Sequence, residues 1–248
     1  MRRLFGVPID ALTMDAVLDL VDDAIMRRQR LLIGVVNAAK LVNMRRDAGL
    51  GESVLSTDLI LADGMSVVWA SKLLGRPLPE RVAGIDLMQR MLQRAHERRY
   101  RVFCLGATQG VLDVTVGRIA SECPNAVVAG HHHGYFAEDD EASIAETIRA
   151  SRADMLFVGM TSPRKEQFLA RWMEHMRVPV CHGVGGSFDV MAGKVKRAPH
   201  LWQRLGMEWL YRVVQEPRRM WRRYLVTNTL FCGMVVGELF SRRSPSHD

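Results

Sequence analysis

Short runs of β-branched and other apolar residues alternate along most of the chain with longer segments in which apolar positions recur every three or four residues. This alternation is typical of βαβ units that build a parallel sheet with helices on its faces. The pattern predicts strands at 31–36, 58–61, 101–105, 126–129, 154–158 and 178–182. It predicts helices at 13–28, 38–46, 65–74, 85–98, 109–122, 138–150 and 163–175. The periodicity therefore predicts an α/β fold.

The pattern changes near the end of the chain. After Gly193 no further strand is predicted, and the sequence from Pro199 onward is helical in period and rich in Trp, Tyr and Arg. Pro217 is expected to begin a final helix, because proline is favoured at the first helical position. We therefore divide the chain into a body, residues 1–195, and a helical appendage, residues 196–248.

The formal charge of +7 is concentrated in the C-terminal part. Residues 194–248 contain 11 Lys and Arg against 4 Asp and Glu, whereas residues 1–193 contain 23 of each sign. Basic residues at 194–197 are followed by aromatic and basic residues at 207–224 and by an apolar stretch at 225–240. This succession favours an anionic membrane surface over nucleic acid as the partner, since each Arg near such a surface adds about 1 kcal/mol. The alternative is a pair of helices packed on the body with a solvated basic face.

Neither a spanning helix nor a secretory leader is predicted. The stretch 225–240 is interrupted by polar residues and is shorter than the roughly 20 residues that cross a bilayer. The N-terminal segment lacks the long apolar run of a signal peptide, since proline and aspartate interrupt it. The scattered cysteines predict buried, reduced thiols rather than a zinc site or a disulfide framework. The expected location is cytoplasmic, peripheral on the inner face of the cell membrane.

Several predicted strands end in glycine or a small polar residue, where ligands bind in open α/β sheets. Asp63 follows one such strand and precedes a helix, so its carboxylate is expected at the rim of a cleft. A carboxylate there can act as general base for attack by a sugar hydroxyl. The alternative is that Asp63 only caps the following helix.

A glycine-rich segment, 183–189, follows the last predicted strand. Glycines after a strand let backbone amides approach a diphosphate. The segment is an incomplete dinucleotide fingerprint, because Phe188 stands where a third glycine is required. A tight turn without a ligand is the alternative interpretation.

Two basic residues precede or open predicted helices. Arg81 is a lone arginine in a loop, and Lys165 follows Arg164 at a helix start that normally favours acidic residues. Both could bind a phosphate or remain in solvent.

Metal binding is not predicted. His131, His132 and His133 have no acidic partner at ligand spacing, so they indicate a polar strand end. The chain also lacks an Asp-x-Asp pair for a divalent ion, so a sugar transferase would need arginine and lysine to neutralise a departing diphosphate.

Five segments carry a family resemblance. They read Ala62-Asp-Gly-Met, Glu80-Arg-Val-Ala-Gly-Ile-Asp-Leu, Gly183-Val-Gly-Gly-Ser-Phe-Asp, Arg197-Ala-Pro and Glu208-Trp-Leu-Tyr-Arg-Val-Val-Gln-Glu-Pro-Arg-Arg. Together, over about residues 37–223, they resemble the WecG/TagA/CpsF glycosyltransferase family, or glycosyltransferase family 26.

The resemblance implies a Rossmann-like catalytic domain with a membrane-targeting appendage. It implies inverting, metal-independent transfer from a UDP-sugar to a polyprenyl-diphosphate-linked acceptor, in cell-wall or surface polysaccharide biosynthesis. The sugars expected are N-acetylmannosamine, its uronic acid, glucuronic acid or a related hexose. No cofactor and no nucleic acid partner is implied, and a homo-oligomer is left open.

The resemblance also implies roles for single residues. Asp63 takes the position of the general base and Arg81 that of a cleft arginine. The donor and its nucleotide would contact Asn37, Gly106, Tyr135, Lys165, Gly185, Gly186 and Asp189. Three arginines of the appendage would reach over the cleft toward the diphosphate, namely Arg212, Arg219 and Arg222.

The chain departs from the family pattern at two cleft positions. Lys165 replaces a glutamine and Val35 replaces a threonine often found there. The donor or acceptor sugar is therefore not transferred from the best-known members. Two other functions stay open: an NAD(P)-dependent oxidoreductase, disfavoured by the incomplete and late glycine fingerprint, and a non-catalytic membrane-binding module.

Overall fold

The computed structural model describes residues 1–241, apart from the side chains of His200, Arg204, Arg219 and Arg223. The strands are β1 Arg2–Leu4, β2 Val7–Ile9, β3 Leu31–Val36, β4 Leu59–Ala62, β5 Arg101–Gly106, β6 Val127–His132, β7 Met155–Gly159 and β8 Val180–Gly183. The body helices are α1 Met14–Arg27, α2 Ala38–Met44, α3 Ala48–Leu55, α4 Met65–Leu73, α5 Gly84–Arg98, α6 Gln109–Glu122, α7 Glu141–Ser151, α8 Arg164–Met176 and α9 Ser187–Met191. The appendage contains α10 His200–Arg204, α11 Glu208–Gln215 and α12 Pro217–Ser241.

The six strands β3 to β8 form one parallel sheet in the order β4-β3-β8-β7-β5-β6. The predicted α/β, Rossmann-like class and a helical C-terminal region are confirmed, and each predicted sheet strand is present within three residues of its expected limits. Three short elements were missed: the antiparallel hairpin β1–β2, helix α3 and helix α9. Elements of this length carry too few periods to be recognised from the pattern.

Helices cover both faces of the sheet, which explains why its strands are almost continuously apolar. Along β3, Leu31 and Ile33 join the core beneath α1 and α5, whereas Leu32 faces the opposite core beneath α7 and α8. Helix α2, which follows β3, packs on one face, and α9, which follows the neighbouring β8, packs on the other. The connections thus diverge between β3 and β8, and a cleft opens at their carboxyl ends.

Helix α12 packs against the body along one side. Phe231 is 5% exposed and its ring meets that of Phe5 edge-on, with 5.3 Å between centroids. Glu238 accepts a hydrogen bond of 2.7 Å from the Phe5 N–H and forms a 3.0 Å ion pair with Arg76. The expectation that Pro217 begins the final helix is confirmed.

The final helix is longer than the apolar stretch at 225–240. Its segment Met220–Ser241 is long and apolar enough to cross a membrane, judged by length and composition alone. The length argument against a spanning helix was therefore wrong, because the helix includes residues before and after that stretch. Core helices of soluble proteins can meet the same criterion, so length alone does not decide between spanning and lying on a surface.

Candidate active site

A cavity of about 470 Å³ lies at the carboxyl ends of β3, β4, β7 and β8, beneath the start of the appendage. Its lining includes three carboxylates, those of Asp63, Asp189 and Glu208. Six cationic side chains also line it: Lys40, Arg164, Lys165, Lys196, Arg197 and Arg212. The excess of positive charge suits an anionic ligand such as a diphosphate.

Asp63 lies at the end of β4 and is half-buried in the cavity wall. Its Oδ1 accepts a 2.9 Å hydrogen bond from the Gly84 N–H, the first residue of α5. Its Oδ2 accepts a longer bond, 3.4 Å, from the Asn37 side-chain amide. The N-cap of α4 is Gly64, without a side-chain hydrogen bond, so Asp63 does not cap the helix that follows it.

Asn37 fixes this arrangement from the neighbouring strand. It is the N-cap of α2, and its Oδ1 accepts a 3.0 Å hydrogen bond from the Lys40 N–H. That bond orients the amide so that Nδ2 points to Asp63. A residue predicted to touch the donor thus also holds the candidate base.

Lys165 belongs to a buried charge cluster beside Asp63. Its Nζ is 3.3 Å from Glu166 Oε1, and the same oxygen is 2.9 Å from Lys40 Nζ. Burial, with a smaller contribution from Lys40, lowers the pKa of Lys165 to about 8. Lys165 is 8% exposed, so the interpretation that it remains in solvent is wrong.

Glu166 carries the negative charge of this cluster. Burial by itself raises the pKa of Glu166, but Lys40 and Lys165 outweigh it and lower the pKa. Its Oε2 has no hydrogen-bond partner in the described part of the chain. Two lysines therefore share one carboxylate, and the cluster retains a positive charge toward the cavity. Lys40 and Glu166 were missed because they are 126 residues apart in sequence.

Arg81 lies behind the cavity wall and is not among the cavity-lining residues. Its guanidinium is 2.5 Å from Glu208 and 3.3 Å from Asp86, and the side chain is 13% exposed. The interpretation that Arg81 remains in solvent is therefore wrong. The structure places it between the body and α11, and does not bring it into the cavity with Asp63.

Arg197 lines the cavity and was not singled out from the sequence. One guanidinium nitrogen, Nη1, is 2.6 Å from Asp86 Oδ1, and Nε is 3.9 Å from Glu208 Oε1. Arg164, which the sequence marked only as part of a helix start, also lines the cavity. It donates a hydrogen bond to the Phe136 carbonyl, and its guanidinium lies over the Phe136 ring, 4.5 Å from the ring centre. Arg197 begins Arg197-Ala-Pro, one of the five segments that carry the family resemblance, and this position could have identified it.

The glycine-rich segment lies in the cavity wall, with Gly185 at φ +55° and Gly186 next to it. Phe188, which replaces the third glycine of a dinucleotide fingerprint, is buried over Gly159, where a Cβ would lie 2.3 Å from its ring. Tyr135 and Asp189 also line the cavity. Gly106, in contrast, does not line the cavity. Its φ is +137°, and a Cβ added there would lie only 2.5 Å from the Gly159 backbone, so glycine is required at this position for close backbone packing.

Comparison with known proteins identifies the family. A sequence model described as "Glycosyl transferase WecG/TagA/CpsF family" matches residues 2–245. The chain belongs to this family. It is accordingly a glycosyltransferase, and the resemblance drawn from its motifs is confirmed.

Curated relatives in this family share one printed name, N-acetylglucosaminyldiphosphoundecaprenol N-acetyl-beta-D-mannosaminyltransferase. The Bacillus spizizenii protein is 42% identical over 175 residues, which are 70% of this chain and 67% of the relative. The Bacillus subtilis protein is 36% identical over 194 residues, 78% of this chain and 75% of the relative. The Staphylococcus aureus (strain MW2) protein is 38% identical over 171 residues, 69% of this chain and 66% of the relative.

Two of the three predicted appendage arginines can be placed relative to the cavity of this family member, and they differ. Arg212 lines the cavity. Arg222 is exposed, does not line the cavity, and has its guanidinium 5.5 Å from the centre of the Trp221 ring. The side chain of Arg219 lies outside the described residues.

The histidines at the end of β6 show ordinary strand-end contacts. The rings of His132 and His133 are in tilted contact, with 4.6 Å between centroids, and His132 Nδ1 is 2.8 Å from the His133 carbonyl. Within residues 1–241, and excepting the four undescribed side chains, no group of three or more His, Cys, Asp or Glu could hold a metal ion. Cys104, Cys123 and Cys181 are buried as expected, whereas Cys232 on α12 is exposed.

Proposed function

We propose that this glycosyltransferase transfers a hexose from a UDP-sugar to a polyprenyl-diphosphate-linked acceptor, with inversion and without a metal ion. The observation that carries the proposal is one half-buried carboxylate, Asp63, held at the strand ends of a cavity lined mainly by cations. The relatives supply the acceptor class, since their names specify an N-acetylglucosaminyl group on a diphosphoundecaprenol.

Asp63 acts as the general base. Among the described residues its Oδ2 has only the long 3.4 Å hydrogen bond from Asn37, so it retains the capacity to accept a proton from the acceptor hydroxyl. The acceptor oxygen forms a bond to the anomeric carbon while the bond from that carbon to the phosphate oxygen breaks. The electron pair leaves with the UDP. One displacement with one base inverts the configuration at the anomeric carbon.

Cationic side chains stabilise the departing diphosphate. Lys165 and Arg212 line the same cavity as Asp63, and the described lining has twice as many cations as carboxylates. Fixed positive charge in a partly dry site stabilises developing negative charge without reorganisation. This arrangement supports transfer that does not depend on a divalent ion.

The appendage brings the enzyme to its lipid-linked acceptor at the cytoplasmic face of the membrane. Away from the buried Phe231, α12 exposes apolar residues, among them Trp221, Leu225 and Phe240. Exposed arginines, including Arg218 and Arg222, lie on the same helix. A helix fixed to the body on one side, with apolar and basic residues on the other, suits peripheral binding to an anionic surface.

The donor is tested with a panel of UDP-sugars. Purified protein is incubated with UDP-linked N-acetylmannosamine, its uronic acid and glucuronic acid, together with a short-chain polyprenyl-diphosphate N-acetylglucosamine and EDTA. We expect one donor to give a disaccharide lipid whose new linkage is inverted relative to the donor. Transfer only after Mg²⁺ addition, a retained linkage, or thermal stabilisation by NAD and not by UDP would contradict the proposal.

A further inference from the structure

The guanidinium of Arg197 is paired on one side only. Nη1 forms the 2.6 Å ion pair with Asp86, whereas Nε and Nη2 are buried and have no hydrogen-bond partner among the described residues. Buried donors of a charged group normally have partners, because leaving them unpaired costs free energy. Nε and Nη2 therefore mark a place where an acceptor is expected.

These two nitrogens form one edge of the planar guanidinium. Their N–H bonds run parallel, at the spacing that matches two oxygens of a carboxylate or a phosphate. The Glu208 carboxylate lies near this edge, but its Oε1 is 3.9 Å from Nε, too far for a hydrogen bond. The other oxygen of Glu208 is held by Arg81 at 2.5 Å. Glu208 thus lies beside the edge of Arg197 without satisfying it.

We propose that Arg197 binds the second phosphate of the nucleotide donor's diphosphate through Nε and Nη2, and that Glu208 moves aside as this phosphate takes its place. The inference rests on the proposed function for its donor class. Arg197 and Glu208 both line the cavity that contains Asp63, so a diphosphate leaving the anomeric carbon is within the same space. Arg197 then stabilises the charge that the reaction releases.

The surrounding charges suit this role. Burial alone would lower the pKa of Arg197, but Asp86, Glu208 and Asp63 raise it, so the guanidinium stays charged. Glu208 is the first residue of α11, and its displacement would couple donor binding to the position of the appendage. Loss of the Glu208 partner would also release Arg81, which could then turn toward the same anion.

The test is calorimetric titration of the full chain with UDP, UMP and inorganic pyrophosphate. For Arg197→Gln we expect at least tenfold weaker UDP binding and less than threefold weaker UMP binding, since the lost contact is to the second phosphate. Arg197→Lys, which keeps the charge and loses the two-nitrogen edge, should lie between Arg197→Gln and the unchanged protein.

Arg90→Gln is the matched control, because Arg90 is an exposed arginine of α5 that pairs with Asp15 and does not line the cavity. Its UDP affinity should change less than threefold. Glu208→Gln should bind UDP two- to fivefold more tightly, because the Glu208 carboxylate then no longer competes with the ligand for Arg81 and Arg197. Weaker UDP binding by Glu208→Gln would overturn the proposed displacement.

Unchanged UDP affinity in Arg197→Gln would overturn the proposal, as would an equal loss for UDP and UMP with a lowered melting temperature. If the unchanged protein binds pyrophosphate through Arg197 but does not bind UDP, the UDP-sugar function fails and the anion site stands. If it binds neither, the assignment of Arg197 fails as well.

Discussion

The body and the appendage position their charged side chains differently. In the body, Asp63 is held by a backbone N–H and by Asn37, and Lys165 is buried in an ion-pair cluster with Glu166 and Lys40. In the appendage, Arg212 and Arg222 are exposed, and Glu208 reaches the body through its ion pair with Arg81. The side chains that need a fixed geometry for the reaction thus lie at the strand ends of the body, whereas the exposed arginines that can adjust to a bound ligand lie on the appendage helices.

The largest effect on activity is expected from Asp63→Asn, which removes the fixed carboxylate of the body. Loss of the general base should lower kcat about 10²- to 10⁴-fold, while UDP binding stays within threefold, since the amide keeps the shape of the side chain. Transfer and UDP titration measure the two quantities. Asp23→Asn, an exposed carboxylate on α1, is the control. Near-normal kcat for Asp63→Asn would remove Asp63 as the base.

The second prediction concerns the attachment of the appendage. Phe231→Ala should lower the free energy of unfolding by about 3 kcal/mol, because the ring is buried against Phe5. Phe240→Ala, on the same helix and 64% exposed, should change it by less than about 0.5 kcal/mol. Urea denaturation of both variants measures the difference. Equal effects would show that α12 is not docked on the body in solution.

Much of the body could be predicted from the sequence, because strand runs and strand-end residues are local features. Asp63 was placed at a strand end by its neighbours alone, and the structure has it there. The ion pairs could not be predicted: Arg81 and Glu208 are 127 residues apart, and the sequence contains many other acids that could have paired with Arg81. Local pattern determines elements, whereas charge partners depend on how distant loops meet.

The third prediction tests the exposed side of α12. Replacing Trp221 and Leu225 together by Glu should weaken binding to vesicles containing anionic lipid at least tenfold, since apolar area is lost and negative charge is added. Both side chains are about half exposed or more, so stability should be little affected. Val114→Glu, at an exposed position of α6, is the control and should leave vesicle binding unchanged. Co-sedimentation is the measurement; unaltered binding of the double variant would place the membrane contact elsewhere.

The last prediction is the pH dependence of donor use. Because burial and Lys40 lower the pKa of Lys165 to about 8, Lys165 is charged below pH 8 and becomes neutral as the pH rises through that value. Attraction for an anionic donor should therefore be present at low pH and decline above about pH 8. We expect kcat/KM for the donor to fall above that pH with the slope of a single deprotonation, which forms an alkaline limb in the pH profile. Lys165→Gln should lower kcat/KM several-fold at pH 7 and abolish the limb. Lys72→Gln, an exposed lysine on α4, should keep both. If Lys165→Gln keeps the same decline of kcat/KM above pH 8, another group titrates there, and Lys165 serves only to pack the body.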